Sequence, residues 1–304
     1  MDKTYINTVR LLLEVAPSIF KSEHFAIKGG TALNLFLQDM PRLSVDIDVV
    51  YTDHSKDRKQ ATSRIAEALK VADIELSQLG FQSELSMTNG AEESKLFIRK
   101  GQVLVKVEVN HVFRGTVLPV IKQTLSEKAC NLFTTELTLP MLQADELYGS
   151  KLVAALDRQH PRDLFDMRIL QLSHELPEQL MDCFVCYIAG HNRPIHEVIF
   201  SRDMDISMAY HSEFQGMTND PMPLDDLLET RRWIRESLVP SLSVEHKRFL
   251  LSLVKLEPDW SLISCPHLQD LPAVKWKLQN LEKLKKRNPG KFKLQEDELS
   301  EKLG

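Results

Sequence analysis

Ser44-Val45-Asp46-Ile47-Asp48-Val49-Val50 alternates apolar and acidic residues. The alternation predicts a strand over residues 45–51. Side chains on a strand point to opposite faces in turn, so Val45, Ile47 and Val49 enter a core while Asp46 and Asp48 stand side by side on the other face. Two crowded carboxylates repel each other unless a cation sits between them. Oxygen donors on a rigid strand suit Mg²⁺. The competing explanation is a half-solvated strand with an acidic outer face. The poor strand propensity of Asp weighs against it.

The residues just upstream bear on the same question. Phe25-Ala26-Ile27 is a short apolar run that ends at Gly29-Gly30, a strand-then-turn signal, and residues 31–38 read as a short helix. In Lys28-Gly29-Gly30-Thr31, the glycines let backbone N–H groups approach an anion, a helix start favours negative charge, and the Thr31 hydroxyl can add a hydrogen bond. The spacing is not that of a Walker loop. Taken alone, Gly-Gly-Thr is an ordinary turn. Downstream, Val103, Val105, Val107 and Val109 alternate with Leu104, Lys106 and Glu108. If that strand lies beside the Asp46 strand, Glu108 completes a carboxylate cluster. The alternative is a cross-strand Lys–Glu pair.

Around this centre the first half of the chain mixes periods. Residues 5–19 carry helical spacing through Ile6, Val9, Leu12, Leu13 and Ile19. Residues 56–79 predict a long helix with Ile65, Leu69, Ile74 and Leu79 on its stripe. Residues 94–99 and 103–110 predict a strand pair around a tight Lys100-Gly101 hairpin. Residues 131–139 predict an extended segment ended by Pro140, and helices follow at 141–157 and 162–173. Beyond residue 176 strand signals vanish. Helical stretches recur near 178–190, 194–202, 224–238, 244–256 and 267–286, punctuated by Pro194, Pro221, Pro223, Pro240, Pro258 and Pro266. The expected fold class is α+β: a mixed sheet with helices over residues 1–176, then an all-helical domain over 177–304. The segment from Asn288 is polar and expected to fray.

Composition limits the function classes. The chain has 304 residues, about two domains' worth. Hydrophobic residues at 43% and charged residues at 27% support a buried core and exclude wholesale disorder. A net charge of −5 means that any nucleic-acid contact must come from a local basic patch. Four cysteines cannot build a disulfide scaffold. The N-terminal stretch, with Asp2 and Glu14, reads as an amphipathic helix rather than a signal peptide. No run of about 18 apolar residues offers a membrane span. A cytoplasmic protein is expected.

Two later helices carry polar residues of interest. Lys151 shares a face with Ala144, Tyr148 and Ala155. A lysine there either snorkels to solvent or serves a site. Arg162-Asp163-x-x-Asp166 opens the next helix after Pro161, where Pro and Asp are ordinary helix-start residues. Phe165, Ile169 and Leu172 are its expected buried stripe. Cys183-x-x-Cys186 has redox or zinc spacing but no second pair, with Cys130 and Cys265 standing apart, so buried thiols are expected. Residues 275–293 hold eight Lys or Arg against the single acid Glu282, interleaved with Trp276 and Phe292. Arg231, Arg232, Trp233 and Arg235 form a second cluster. Both suit phosphate neutralisation and base stacking, or a solvated helix face.

The ordered set Lys28-Gly29-Gly30-Thr31-Ala32-Leu33, Ser44-Val45-Asp46-Ile47-Asp48, Asp145 with Lys151, and Arg162-Asp163-Leu164-Phe165-Asp166 resembles the nucleotidyltransferase fold, specifically the AbiEii/AbiGii family of bacterial toxins. The broad fold usually has Gly-Ser before its Asp-x-Asp; Gly30-Thr31 here keeps the hydroxyl. The family's second motif, a Lys followed by a basic residue on a strand, stays open among Lys95, Arg99 and Lys106. The resemblance implies Mg²⁺ held by Asp46 and Asp48, with Glu108 a further candidate ligand. It implies that Lys28, Gly29, Gly30 and Thr31 cradle the phosphates of an NTP. It also implies that Lys151 reaches the triphosphate and that Asp163 is an essential acid, Asp166 being structural. A toxin of this kind transfers an NMP to an acceptor hydroxyl in a toxin–antitoxin or phage-defence system and is opposed by a cognate antitoxin. The basic helical half suggests a tRNA acceptor. Two alternatives stay open: transfer to a protein or small molecule, and a non-catalytic binding module on a degenerate transferase fold.

Overall fold

The computed structural model describes residues 3–86 and 93–304, so Met1 and Asp2 lie outside the described residues. The chain divides into two compact units. One comprises Met1–Leu147 and Gln215–Pro221, the other Tyr148–Phe214 and Met222–Gly304.

The first unit is built on a seven-stranded sheet. Its elements are α1 (Lys3–Ile19), β1 (Phe25–Lys28), α2 (Gly29–Thr31), β2 (Asp46–Tyr51), α3 (Arg58–Gln78), β3 (Gln82–Ser86), β4 (Glu93–Lys100), β5 (Val103–Asn110), β6 (Ile121–Thr124), α4 (Glu127–Phe133) and β7 (Thr138–Met141). α2 runs on into wide π-type turns over Ala32–Leu37. The strand order is β3-β4-β5-β2-β1-β7-β6. β2 runs antiparallel to β1 and parallel to β5. Helices α1 and α3 pack on the strands, and Ile47, Val49, Leu96, Ile98, Val105 and Val107 are buried. Asp46, Asp48, Lys106 and Glu108 alternate with them and therefore share the opposite face. The expected hairpin is present: Lys100 pairs with Val103 across Gly101, which has φ +61°.

Some expectations need correction. Ile74 on α3 and Leu79 at its C-terminal cap are exposed, and Ala72 and Leu76 take their places beside Ile65 and Leu69. The spacing 65, 69, 72, 76 follows the helical period more closely. Residues 131–133 are not extended but finish α4, whose cap Ser126 accepts from the Ala129 N–H. Pro140 lies within β7, opposite Lys122 of β6. The polar strands β3 and β6 carried no apolar signal and went unread.

The second unit is helical. Helix α5 (Ala144–Asp157) crosses the division between units, and α6 (Pro161–Ser173), α7 (Glu178–Ala189), α8 (Ile195–Ile199), α9 (Ser207–Glu213), α10 (Leu224–Ser241), α11 (Val244–Val254), α12 (Pro272–Arg287) and α13 (Pro289–Leu303) follow. α7 is its buried centre. Gly149 allows close approach there: a Cβ on it would fall 2.8 Å from the Cys183 Cβ. The tail does not fray. Asn288 caps α13, and Phe292, Leu299 and Leu303 are buried at helical spacing. Pro240 sits inside α10 and does not end it. Among the described residues no helix is long and apolar enough to cross a membrane.

Candidate active site

The glycine turn sits at the end of β1. Gly29 has φ +72°, a conformation that side chains other than glycine's rarely tolerate, and the Asp48 carboxylate fills the space where its Cβ would be. Gly30 follows, with the Arg42 guanidinium and Ser44 Oγ against it. Thr31 is fully buried, and its hydroxyl donates to the Asp46 carbonyl and lies 3.0 Å from Ser44 Oγ. That hydroxyl therefore ties the turn to β2, where the sequence had suggested a phosphate contact. The Lys28 ammonium lies 6.0 Å from the centre of the Phe113 ring.

The acidic face adjoins this turn. Asp48 is in register with Lys28 on one side and Glu108 on the other, and Asp46 with Lys106. The Glu108 carboxylate takes Lys95 and Lys106, each at 3.1 Å, and Lys106 lies 3.8 Å from Asp46. Burial works to raise the Glu108 pKa, but the two lysines outweigh it and hold the carboxyl below its ordinary value. Of the three open basic candidates, Lys95 and Lys106 thus stand at the carboxylates, while Arg99 is opposite Leu104, farther along the strands. Glu108 makes the cross-strand pair that was the alternative to a metal-ligand role. Among the described residues no three metal-ligating side chains are pre-gathered. Asp46 and Asp48 nevertheless fit a hard divalent cation. Both present carboxylates on one strand face, and glycine at 29 leaves room for one of them.

A second polar cluster lies within the other unit. Lys151 on α5 does not snorkel: it is 7% exposed, and its ammonium lies 3.0 Å from Asp163 and 3.1 Å from Asp166. Arg158 grips Asp163 through two nitrogens, Nη2 at 2.9 Å. Burial would raise the Asp163 pKa, but the charges of Lys151 and Arg158 and their hydrogen bonds hold it far below the carboxylate range. α6 presents these acids because its buried face is Asp163, Leu164, Asp166, Met167 and Gln171. Ile169 and Leu172, expected in that stripe, are exposed. Arg162 turns instead to Glu213 at 3.8 Å. Arg158 was missed by sequence reasoning. It precedes a turn at Gln159, φ +50°, and no helical spacing links it to Asp163.

The model of the nucleotidyl transferase AbiEii toxin family, type IV toxin–antitoxin system, matches residues 10–280. The chain belongs to this family. The toxin is a nucleotidyltransferase, which sets aside the reading as a non-catalytic module. Its fold is similar to that of MenT4, a nucleotidyltransferase toxin from Mycobacterium tuberculosis H37Rv, with a TM-score of 0.56, 18% identity, and coverage of 91% of this chain and 92% of that one. A search of curated proteins finds no match.

The basic residues of the toxin's helical unit divide into two groups. Arg231 and Arg235 are engaged internally, both with Asp203, Arg231 also with the Met204 carbonyl and Arg235 with the Ser201 carbonyl. Lys277 is buried and donates to the carbonyls of His191 and Arg193 at 2.9 and 2.6 Å. Lys283, Lys285, Lys286, Arg287 and Lys291 are exposed at the α12–α13 corner. Lys283 lies over the Trp276 ring and Lys285 over the Phe292 ring, each at 5.3 Å. The four thiols are free, as expected, but Cys265 does not stand apart: it meets Cys186, and this contact with burial pushes the Cys186 thiol up.

Proposed function

We propose that this toxin transfers an NMP from an NTP to an RNA hydroxyl, with tRNA as the acceptor, residues 1–176 carrying the chemistry and residues 177–304 selecting the acceptor. The observation that carries the proposal is the placement of Asp46 and Asp48 beside a glycine turn that only Gly29 permits. The acceptor oxygen forms a bond to the α-phosphorus, the bond to the β-phosphate oxygen breaks, and pyrophosphate leaves in line. Asp46 and Asp48 would hold Mg²⁺, Glu108 adding an oxygen if its lysines shift, and the ion would acidify the attacking hydroxyl and neutralise the polyphosphate.

The protein's own groups do the rest. Backbone N–H groups of Gly29 and Gly30 orient phosphate oxygens, and Lys28 adds positive charge. Lys95 and Lys106, now on Glu108, are the basic pair available to the phosphates. Lys151 serves as a fixed positive charge against the charge that develops on transfer. Asp163, 3.0 Å from its ammonium, keeps it oriented. The exposed basic corner of α12 and α13 would track the RNA backbone. A cognate antitoxin is the expected protein partner, in a cytoplasmic toxin–antitoxin or phage-defence setting.

The test is a transfer assay with wild type and the Asp46→Asn/Asp48→Asn double variant, Mg²⁺, each α-labelled NTP in turn, and total tRNA or lysate. Label on RNA with wild type alone supports the proposal and names the base. Label on a protein or small molecule would refute the RNA acceptor. Label with both proteins would remove the carboxylates from the mechanism.

A further inference from the structure

The second glycine of the turn is constrained by a residue of opposite charge. A Cβ on Gly30 would fall 2.8 Å from Nη2 of Arg42 and 3.0 Å from Ser44 Oγ. Arg42 is 2% exposed, and its Nη1 donates to the Leu43 carbonyl at 2.9 Å. An arginine does not lose its proton in a protein, so a permanent positive charge lies against the turn. The turn is thus bracketed. Asp48 takes the space beside Gly29 and Arg42 the space beside Gly30.

A distant stretch of chain holds Arg42 there. The segment Gln215–Pro221 belongs to the sheet-bearing unit although it follows α9. Met217 accepts from the Leu43 N–H at 2.8 Å, and Thr218 pairs with Arg42. Asn219 donates its side-chain amide to the Met40 carbonyl at 2.8 Å and its backbone N–H to the Pro41 carbonyl at 3.2 Å. Met40 itself is buried at φ +55°, unusual for a residue with a side chain. A strained, clamped loop that delivers a buried guanidinium to a glycine turn is more than a connection between β1 and β2.

We infer that Arg42 is a positioning residue for the nucleotide's polyphosphate, held in place by Met217–Asn219. Its guanidinium fixes the Gly29–Gly30 turn in a shape that presents backbone N–H groups, and it raises the potential where phosphate oxygens dock. Such a residue acts on the phosphates and is blind to the base. The inference rests on the nucleotidyltransferase reading of this turn.

The experiment uses the full-length toxin and Arg42→Met, Arg42→Lys and Asn219→Ala. Calorimetry measures binding of inorganic tripolyphosphate with Mg²⁺, and steady-state assays measure kcat and KM for each NTP. Arg42→Met is expected to weaken tripolyphosphate binding about tenfold or more, the equivalent of one charge-assisted hydrogen bond, and to raise KM alike for every NTP. Arg42→Lys is expected to recover most of both, and Asn219→Ala to fall between. Unchanged tripolyphosphate affinity and KM, with only kcat or the melting temperature lowered, would mean a merely structural Arg42 and would overturn the inference. If Arg42→Met does not fold, Asn219→Ala decides: a tripolyphosphate affinity and KM equal to wild type overturn it. Tripolyphosphate binding needs no turnover, so it reports on Arg42 even if the transfer assay fails. A wild type that does not bind tripolyphosphate overturns it as well.

Discussion

The carboxylate of Asp48 stands where a side chain on residue 29 would have to go: a Cβ there would lie 2.9 Å from Asp48 Cγ and 3.0 Å from its Cβ. Gly29→Ala therefore strains the backbone, by about 1–2 kcal/mol for the left-handed conformation, and displaces Asp48 as well. The expected outcome is a loss of transfer of about 100-fold, since misplacement by about 1 Å costs that much, with the protein still folded. Steady-state kinetics beside circular dichroism check it. Activity near wild type would mean that Asp48 is free to move without consequence.

Asp46 and Asp48 are expected to bind the divalent ion, so Mg²⁺ should raise the melting temperature of wild type and leave Asp46→Asn/Asp48→Asn unmoved. Without metal the double variant should melt within a few degrees of wild type, because the substitution removes a repulsive pair. Chelation by EDTA should stop transfer. A double variant that Mg²⁺ stabilises as well as wild type would place the ion elsewhere.

Asp163→Asn removes the acid that anchors two cations, Lys151 and Arg158. Breaking a buried pair of this kind costs about 3–5 kcal/mol. The sign with pH follows from the depressed pKa. The contribution of Asp163 is complete above its ordinary value of 3.8 and is lost as pH falls toward the lower folded value. Urea unfolding should therefore show the gap between wild type and variant narrowing below about pH 4. A gap constant with pH would mean that Asp163 is not ionised in the folded toxin.

Lys277 gives a slope of the same sign in an alkaline window. Burial pushes its pKa down to about 8 from 10.5. Between those values the unfolded chain binds more protons than the folded one, so stability from this residue rises with pH across the window. Lys277→Met should abolish that rise. Thermal unfolding of both proteins at a series of pH values isolates it, since other titrations cancel in the difference. Parallel curves would show that Lys277 stays charged against the His191 and Arg193 carbonyls.

The exposed corner and the engaged arginines should separate in RNA binding. Replacing Lys285, Lys286 and Arg287 together by Ala should weaken RNA binding and lower its salt slope by about one for each phosphate no longer neutralised. The melting temperature should change little. Arg235→Gln should do the reverse, because Arg235 holds Asp203 and the Ser201 carbonyl. Filter binding across a salt series reads the first effect and calorimetric melting the second. Equal RNA affinity in the triple variant would remove the corner from acceptor binding.

The candidate site was unevenly legible before the structure. Residues 45–51 announced β2 because alternation is a local property, and Gly101 announced its hairpin because turn chemistry is local too. β3 and β6 were invisible, since Gln82–Ser86 and Ile121–Thr124 carry almost no apolar pattern and become strands through their neighbours β4 and β7. The fraying expected beyond Asn288 failed for a similar reason. Phe292, Leu299 and Leu303 are too sparse to read as a helix until the rest of the helical unit buries them.

By itself the sequence determined which chemistry was on offer: paired carboxylates on one strand face, a glycine turn ahead of them, a lysine helix and an Arg-Asp helix start, in an order that marks the family. Each is a short-range pattern, set by a strand's two-residue period, a helix's 3.6, or a backbone that only glycine adopts. Tertiary structure alone decided which charges meet. Register put Lys95 and Lys106 on Glu108, and helix packing put Lys151 and Arg158 on Asp163. A loop held from more than 170 residues downstream put Arg42 beneath Gly30. A charge's partner depends on contacts between segments remote in the chain, and no local period encodes those.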